Sequence, residues 1–445
     1  MTFAGGSGRK HMIAGLGLSA LLVTGAVAPG TTAALADSGP AATAAVPSAD
    51  VSPAAASPVT ASGLDRRALG RTLAAIRTAG MYGVYSSVRD GEAGWDGAAG
   101  VADVRTGRPV KPGMLHRVGS ITKSFTAVAI LQQVERGAID LDAPVARYLP
   151  ELIPGERGQK ITVRMLLNHT SGIGDYILYV YPSLQQGSPQ SIDDNRFRRF
   201  TPGELVAAGL QAPPTGEPGG VGSYSNTNYV IAGLLLEKVT GVDAETYITR
   251  NVIRRAGLRD TFFPRTPHIT GPHSRAYESL YGYIDPPRDY SVYDPSTLST
   301  AGALVSTTDD LNRFYRALLG GRLIGPAQLA QMQTTVPVAV GGARIPYGLG
   351  LYPVDLPCGR FWGHDGAIWG MGTISLSSPD GRRQFSVGIN LMKYQRFDQN
   401  GGQLPSPIDD ALGLHLMQAL CGASAGFAKG APFVPFPTEQ VLVRR

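Results

Sequence analysis

A serine followed three residues later by a lysine, Ser120-Ile121-Thr122-Lys123, is the pattern in this chain best suited to nucleophilic chemistry. A hydroxyl attacks a carbonyl at neutral pH only when a base takes its proton. One helical turn separates the two side chains, so they share a helix face. A lysine on a buried helix is partly desolvated, which disfavours its charged form and makes it a proton acceptor. Most S-x-x-K tetrapeptides are surface helix turns, but this one has Gly119 before it, which permits a sharp turn. Phe125, Val128, Ile130, Leu131 and Val134 after it are apolar on nearly all sides, which marks a central helix. The Ser120 hydroxyl then faces the positive end of that helix's dipole.

Two later clusters complement this pair. Tyr224-Ser225-Asn226 follows a Gly-rich stretch and precedes an apolar helix. Tyr224 can relay a proton to a leaving group, and Asn226 can hold a substrate carbonyl; a loop tyrosine packed on the core is the plain alternative. His364-Asp365-Gly366-Ala367 lies on a late strand. Gly366 would let a substrate backbone approach the strand edge, and the backbone N–H groups of Ser120 and Ala367 would form an oxyanion hole. A lone strand histidine is more often satisfied within a core. Several usual motifs, H-E-x-x-H, the P-loop, the G-x-S-x-G elbow and a Cys/His cluster, are missing, and the seven histidines are scattered, which argues against a protein-bound zinc. No cofactor and no metal site is expected.

The elements that must position these residues are legible in outline. Residues 64 to 79 have helical spacing, and two alternating runs, 81 to 88 and 95 to 104, flank the turn at Asp90-Gly91. Residues 138 to about 298 read as helical pieces and long loops, followed by a helix begun at Thr307, Thr308 and Asp309. Strands are expected at 347–352, 360–363, 369–377 and 383–391. Ser406, Pro407, Asp409 and Asp410 open a final helix with a stripe of Ile408, Ala411, Leu412, His415, Leu416 and Ala419. The expected fold is α+β: an antiparallel sheet flanked by N- and C-terminal helices, with an inserted all-helical lobe.

Composition limits the partners. The chain of 445 residues is 43% apolar and 17% charged, and its formal charge of +6 is too mild and dispersed for nucleic acid. Arg9 and Lys10, a run of apolar residues from 12 to 28, and Ala34-Leu35-Ala36 have the order of a secretory signal peptide over residues 1 to 36. An uncleaved anchor is the alternative, disfavoured by Gly15, Gly17 and Gly25. Residues 37 to 62 form an Ala/Pro/Ser-rich linker that cannot bury enough surface to order itself. The catalytic domain is expected over 63 to 421, a tail over 422 to 445, and no stable membrane span after cleavage. In a secreted protein the two cysteines, Cys358 and Cys421, favour a bridge over two buried free thiols.

The order S-x-x-K, then Y-x-N, then H-x-G on a late strand resembles the active-site serine family of penicillin-recognising enzymes, over roughly residues 64 to 421. Leu166 to Gly172, Ala301 to Leu311 and Tyr347-Gly348-Leu349-Gly350 are similar to that family's ancillary signatures. The resemblance implies an acylated nucleophile at Ser120, a base at Lys123, a proton relay at Tyr224, and substrate contacts at Asn226, His364, Gly366 and Ala367. It is most similar to secreted actinomycete D-alanyl-D-alanine carboxypeptidases, which implies a peptidoglycan stem peptide as substrate and supports the Cys358–Cys421 pairing. Class C β-lactamases and serine esterases share the scaffold, and a catalytically silent wall-binding protein is the remote alternative. The resemblance makes His169 structural, and His364 in place of a lysine would make anion binding pH-dependent. Asp365 replaces the usual threonine and, if aimed into the cleft, would repel a substrate carboxylate. Two groups beside these have open or plain readings. Tyr277, Tyr281, Tyr283, Tyr290 and Tyr293 either line the cleft or pack beneath a loop, and Arg196, Arg198 and Arg199 read as a solvated surface.

Overall fold

Leu69, Leu73 and Ile76 recur at helical spacing on α1 (Arg66–Thr78), whose start is capped by the Asp65 carboxylate accepting from the Ala68 N–H. They must be buried against something apolar, and the partner is one face of a seven-stranded sheet. The computed structural model describes residues 63–341, 343–399 and 402–422. The leader, linker and tail expected from the sequence lie outside these residues, apart from the first residue of the tail.

Two strands near the N-terminus, β1 (Gly83–Asp90) and β2 (Ala93–Asp103), form a hairpin, and a short β3 (Arg108–Pro109) follows. Four later strands complete the sheet: β4 (Tyr352–Leu356), β5 (Gly359–Ile368), β6 (Met371–Ser377) and β7 (Arg383–Ile389). The order is β4-β5-β6-β7-β1-β2-β3, antiparallel throughout. The ends of the chain thus meet where β1 pairs with β7, Val84 opposite Ile389.

Helix α1 and the final helix, Pro407–Cys421, cover one face, with Leu412 and Leu416 joining Val84, Ile374, Phe385 and Val387 in a single core. A disulfide joins Cys358, just before β5, to Cys421 at the end of that helix, with Cα atoms 5.4 Å apart. Closing a loop of this length contributes up to about 4 kcal/mol in the chain-entropy account. The opposite face carries the helix Thr308–Leu319, whose Asn312 accepts from Ser386 Oγ at 2.8 Å and donates to the Ser87 carbonyl at 3.1 Å. Behind it runs α2 (Thr122–Glu135), buried from Thr122 to Gln133, so it forms the spine of the second core. The inserted lobe packs on α2 through short helices and α3 (Asn226–Thr240).

One expected strand is corrected. Residues 347–352 are the link between two sheets: Ala343–Tyr347 pairs with Val336–Val340 in a small sheet, and β4 begins at Tyr352. The link turns at Gly350, φ +80°, where a Cβ would lie 2.7 Å from Ala127 Cβ and 2.9 Å from the Lys123 carbonyl. Apolar alternation there reflects close packing on α2, which a strand pattern does not distinguish.

Candidate active site

Ser120 lies in a 3₁₀ turn, Gly119–Ile121, that leads directly into α2, and it remains partly exposed. Lys123, one turn on, is fully buried. Its Nζ is 3.0 Å from Ser120 Oγ, 2.7 Å from Asn226 Oδ1 and 2.9 Å from the Ala301 carbonyl oxygen. Two of these partners are carbonyl oxygens, which only accept. An uncharged amine that gives its two hydrogens to them is left with its lone pair toward the serine hydroxyl. The arrangement can therefore take the Ser120 proton without any side chain moving. The Tyr224 ring covers the same amine, with Nζ 4.8 Å from the ring centroid.

The turn carrying Ser120 is wedged against β5. Gly119 has φ +54°, and a Cβ on it would fall 2.9 Å from the Ala367 nitrogen. A Cβ on Gly366 would fall 1.9 Å from the Val118 carbonyl oxygen and 3.0 Å from the Ser120 nitrogen. This corrects the expected reason for Gly366: the space belongs to the protein's own turn, not to a substrate backbone. β4 pairs with β5 only as far as Gly363, so beyond it the turn, not a strand, lies beside Ala367, and Ser120 and Ala367 both line the cleft. Gly366→Ala is expected to part the two backbones and slow acylation by about 10²-fold, the scale of a 1 Å misplacement, with the helical circular dichroism kept. An unchanged rate would show that this abutment does not set the site.

His364 is also corrected. It is buried, its Nδ1–H donates to the Asp365 carbonyl, and its Nε2 accepts from the Tyr347 hydroxyl at 2.8 Å. Burial, with Lys123 nearby, pulls its pKa down to about 3. It is uncharged at neutral pH and has both ring nitrogens engaged, so a pH-dependent anion contact cannot come from it. Asp365 is held by the Tyr352 hydroxyl at 2.8 Å.

His169 sits under the site, its ring centroid 4.3 Å from that of Tyr224 and its Nδ1 accepting from the Ser225 N–H at 3.2 Å. Burial above all holds its pKa well below the usual histidine value. Of the tyrosine cluster, Tyr277, Tyr281, Tyr290 and Tyr293 are buried in packing and only Tyr283 is substantially exposed. Arg196, expected on a solvated surface, instead latches the lobe: it donates to the Val292 carbonyl at 2.5 Å and the Asp289 carbonyl at 3.1 Å. The guanidinium is planar and stacks on Tyr290.

Tyr176, Ile177, Leu298, Ile368 and Trp369 contribute apolar wall to the cleft beside Ser120. Lys393 also lines it, over the Trp369 ring at 4.7 Å and 3.4 Å from the buried Glu278 carboxylate. Burial pushes the Glu278 carboxyl up, while Lys393 and two backbone N–H groups pull the other way.

Five non-glycine residues among those described hold positive φ: His169, Leu280, Tyr281, Ser299 and Lys393. His169 underlies Tyr224, Ser299 opens the turn that presents the Ala301 carbonyl, and Lys393 bonds through its own carbonyl to the Tyr281 N–H at 2.6 Å. Backbone strain of this kind collects where surrounding packing over-determines a site.

Sequence reasoning missed Asp175, the Ala301 carbonyl, Trp369 and the Lys393–Glu278 pair. Asp175 follows the family-like HTSG stretch by three residues, and that adjacency was a usable signal. The Ala301 contact is made by backbone and leaves no mark on residue type.

Known proteins share this fold. The family model described as Beta-lactamase matches residues 66–403. A D-stereospecific amidohydrolase from Streptomyces sp. has a similar structure, with TM-score 0.69 and 36% identity, covering 81% of this chain and 100% of that one. D-amino acid amidase from Ochrobactrum anthropi SV3, solved with L-phenylalanine amide, gives TM-score 0.66 and 25% identity, covering 79% and 97%. The putative penicillin-binding protein PbpX of Bacillus subtilis (strain 168) is 26% identical over 326 residues, 73% of this chain and 74% of that protein.

Proposed function

The chain belongs to the beta-lactamase family and is a serine hydrolase, and from that premise we propose an exported amidohydrolase that acylates Ser120 with an amide or ester of a D-configured amino acid. The observation that carries the reading is the Lys123 amine, 3.0 Å from Ser120 Oγ with two carbonyl oxygens fixing its direction. Ser120 Oγ attacks the substrate carbonyl carbon as its proton passes to Lys123 Nζ. The Ser120 and Ala367 N–H groups stabilise the tetrahedral oxyanion. The carbon–nitrogen bond then breaks, and the proton returns from Lys123, through the Tyr224 hydroxyl, to the departing nitrogen. Water attacks the resulting ester, gives its proton to the same base, and Ser120 is regenerated.

Two features support an acyl donor that carries no free carboxylate. Apolar side chains form part of the cleft walls, and His364, which stands where the resemblance implies a cation, is neutral. The D-configuration rests on the two similar amidohydrolases. Export rests on the signal-like order of residues 1 to 36 and on the Cys358–Cys421 disulfide, a bond that persists in oxidising compartments.

D-alanyl-D-alanine carboxypeptidase is the second reading. Lys393 favours it, since it lines the cleft and would suit a terminal carboxylate. The test is turnover of D- and L-phenylalanine amide, a D-Ala-D-Ala peptide, nitrocefin and a p-nitrophenyl ester by one preparation. The D-amide is expected to exceed the L-amide and the peptide in kcat/KM by at least about tenfold, the scale supplied by one misplaced contact. Release of D-alanine without amide turnover would instead establish the carboxypeptidase, and rapid nitrocefin hydrolysis a β-lactamase.

A further inference from the structure

Asn226 connects Lys123 to the far wall of the cleft, and its carboxamide serves Lys123 only one way round. Oδ1 accepts from Lys123 Nζ at 2.7 Å. The flipped carboxamide would set Nδ2, a donor, against an amine already giving hydrogens to a carbonyl. The orientation is selected from the other side. Asp175 Oδ2 accepts from Asn226 Nδ2–H at 2.8 Å and from the Asn226 backbone N–H at 3.1 Å. An ionised carboxylate is acceptor-only, so it admits the NH₂ end of the carboxamide and rejects the oxygen end.

Asp175 is itself held in place. Its Oδ1 accepts from the Ile177 N–H at 3.0 Å. The carbonyl of Gly174, the residue before it, accepts from Ser225 Oγ at 3.0 Å and Thr227 Oγ1 at 2.7 Å. The loop bearing Asp175 is thus laced to both sides of Asn226, and the carboxylate cannot swing away without breaking several bonds.

We propose that Asp175 is a positioning residue for acylation: it holds Asn226 with Oδ1 toward Lys123 and thereby keeps the amine aimed at Ser120. The inference rests on the reading of Ser120 as nucleophile and Lys123 as base, and adds the residue that orders their third partner. Asp175 acts through Asn226, not on the reacting atoms.

The experiment is a double-mutant cycle on the single-turnover acylation rate with p-nitrophenyl acetate, a probe indifferent to D-aminoacyl specificity. Asp175→Ala is expected to slow acylation by about 10- to 100-fold, the scale of a misaimed catalytic group, with little change in ester affinity. Asp175→Asn keeps one acceptor oxygen for Asn226 and is expected to stay within about fivefold of the native rate. In an Asn226→Ala background, Asp175→Ala is expected to cost less than about twofold more, because residues acting through one contact are not additive. An unchanged rate in Asp175→Ala, or a full additive loss in the Asn226→Ala background, would overturn the proposal. If Asp175→Ala does not fold, Asp175→Leu, which removes the acceptor while keeping most of the side-chain volume, supplies the same cycle, and a full additive loss there overturns it equally. A wrong nucleophile would show separately, as acylation that survives Ser120→Ala.

Discussion

Ser120→Ala is expected to abolish formation of a covalent adduct and to lower kcat/KM on the turned-over substrate by on the order of 10⁵-fold or more. The magnitude follows from the loss of the one atom that forms the acyl bond, with residual turnover left to the oxyanion donors and to substrate binding. The substitution removes a single partly exposed oxygen, and the Lys123 amine keeps its bonds to Asn226 and Ala301. Fold and cleft should therefore survive, which thermal melting checks. The decisive measurement is intact mass after exposure to an activated ester and, separately, to a penicillin. An adduct of the same mass on the Ser120→Ala protein would remove Ser120 from its assigned role.

Lys123→Met is expected to slow acylation by about 10³-fold while leaving Ser120 in place, the usual worth of a positioned general base. Methionine is chosen because the side chain is fully buried and its volume must be kept. The change also leaves the Asn226 and Ala301 carbonyl oxygens without the amine, at about 1–3 kcal/mol for each buried acceptor. A lower melting temperature should accompany the loss of rate. The two effects are separable: a variant that is destabilised yet acylates within tenfold of the native rate would make Lys123 a structural cation and pass the base to Tyr224. His364 cannot stand in, since its pKa near 3 is set first by burial, which the substitution leaves in place.

The polar skeleton of the site was readable because its members are side chains in a fixed linear order. S-x-x-K on an apolar helix, Y-x-N before a second helix, and H-x-G on a late strand led to Ser120, Lys123, Tyr224, Asn226 and His364 with no knowledge of distance. The same holds for the large elements. α1, α2, the β1–β2 hairpin and the final helix follow from periodicity and capping residues, which act locally. Where the reading went astray, the cause was non-local. Gly366 looked like an opening for substrate, and only the approach of Val118 and Ser120 shows which backbone occupies it. Residues 347 to 352 alternated like a strand because they pack on α2. Arg196 has the composition of a surface and the position of a latch.

Residue types and their order determined that this chain can carry an acyl-transfer apparatus on an α+β scaffold. Tertiary structure decided how that apparatus is tuned: which carbonyls aim the lysine, which carboxylate turns the asparagine, and which histidine stays uncharged. The division has a physical basis. The chemical capability of a side chain is intrinsic, whereas its charge state and direction depend on burial and partners. Here those partners come from segments some fifty to two hundred residues away, as Ala301 and Asn226 do for Lys123, and several are backbone atoms that every residue type possesses.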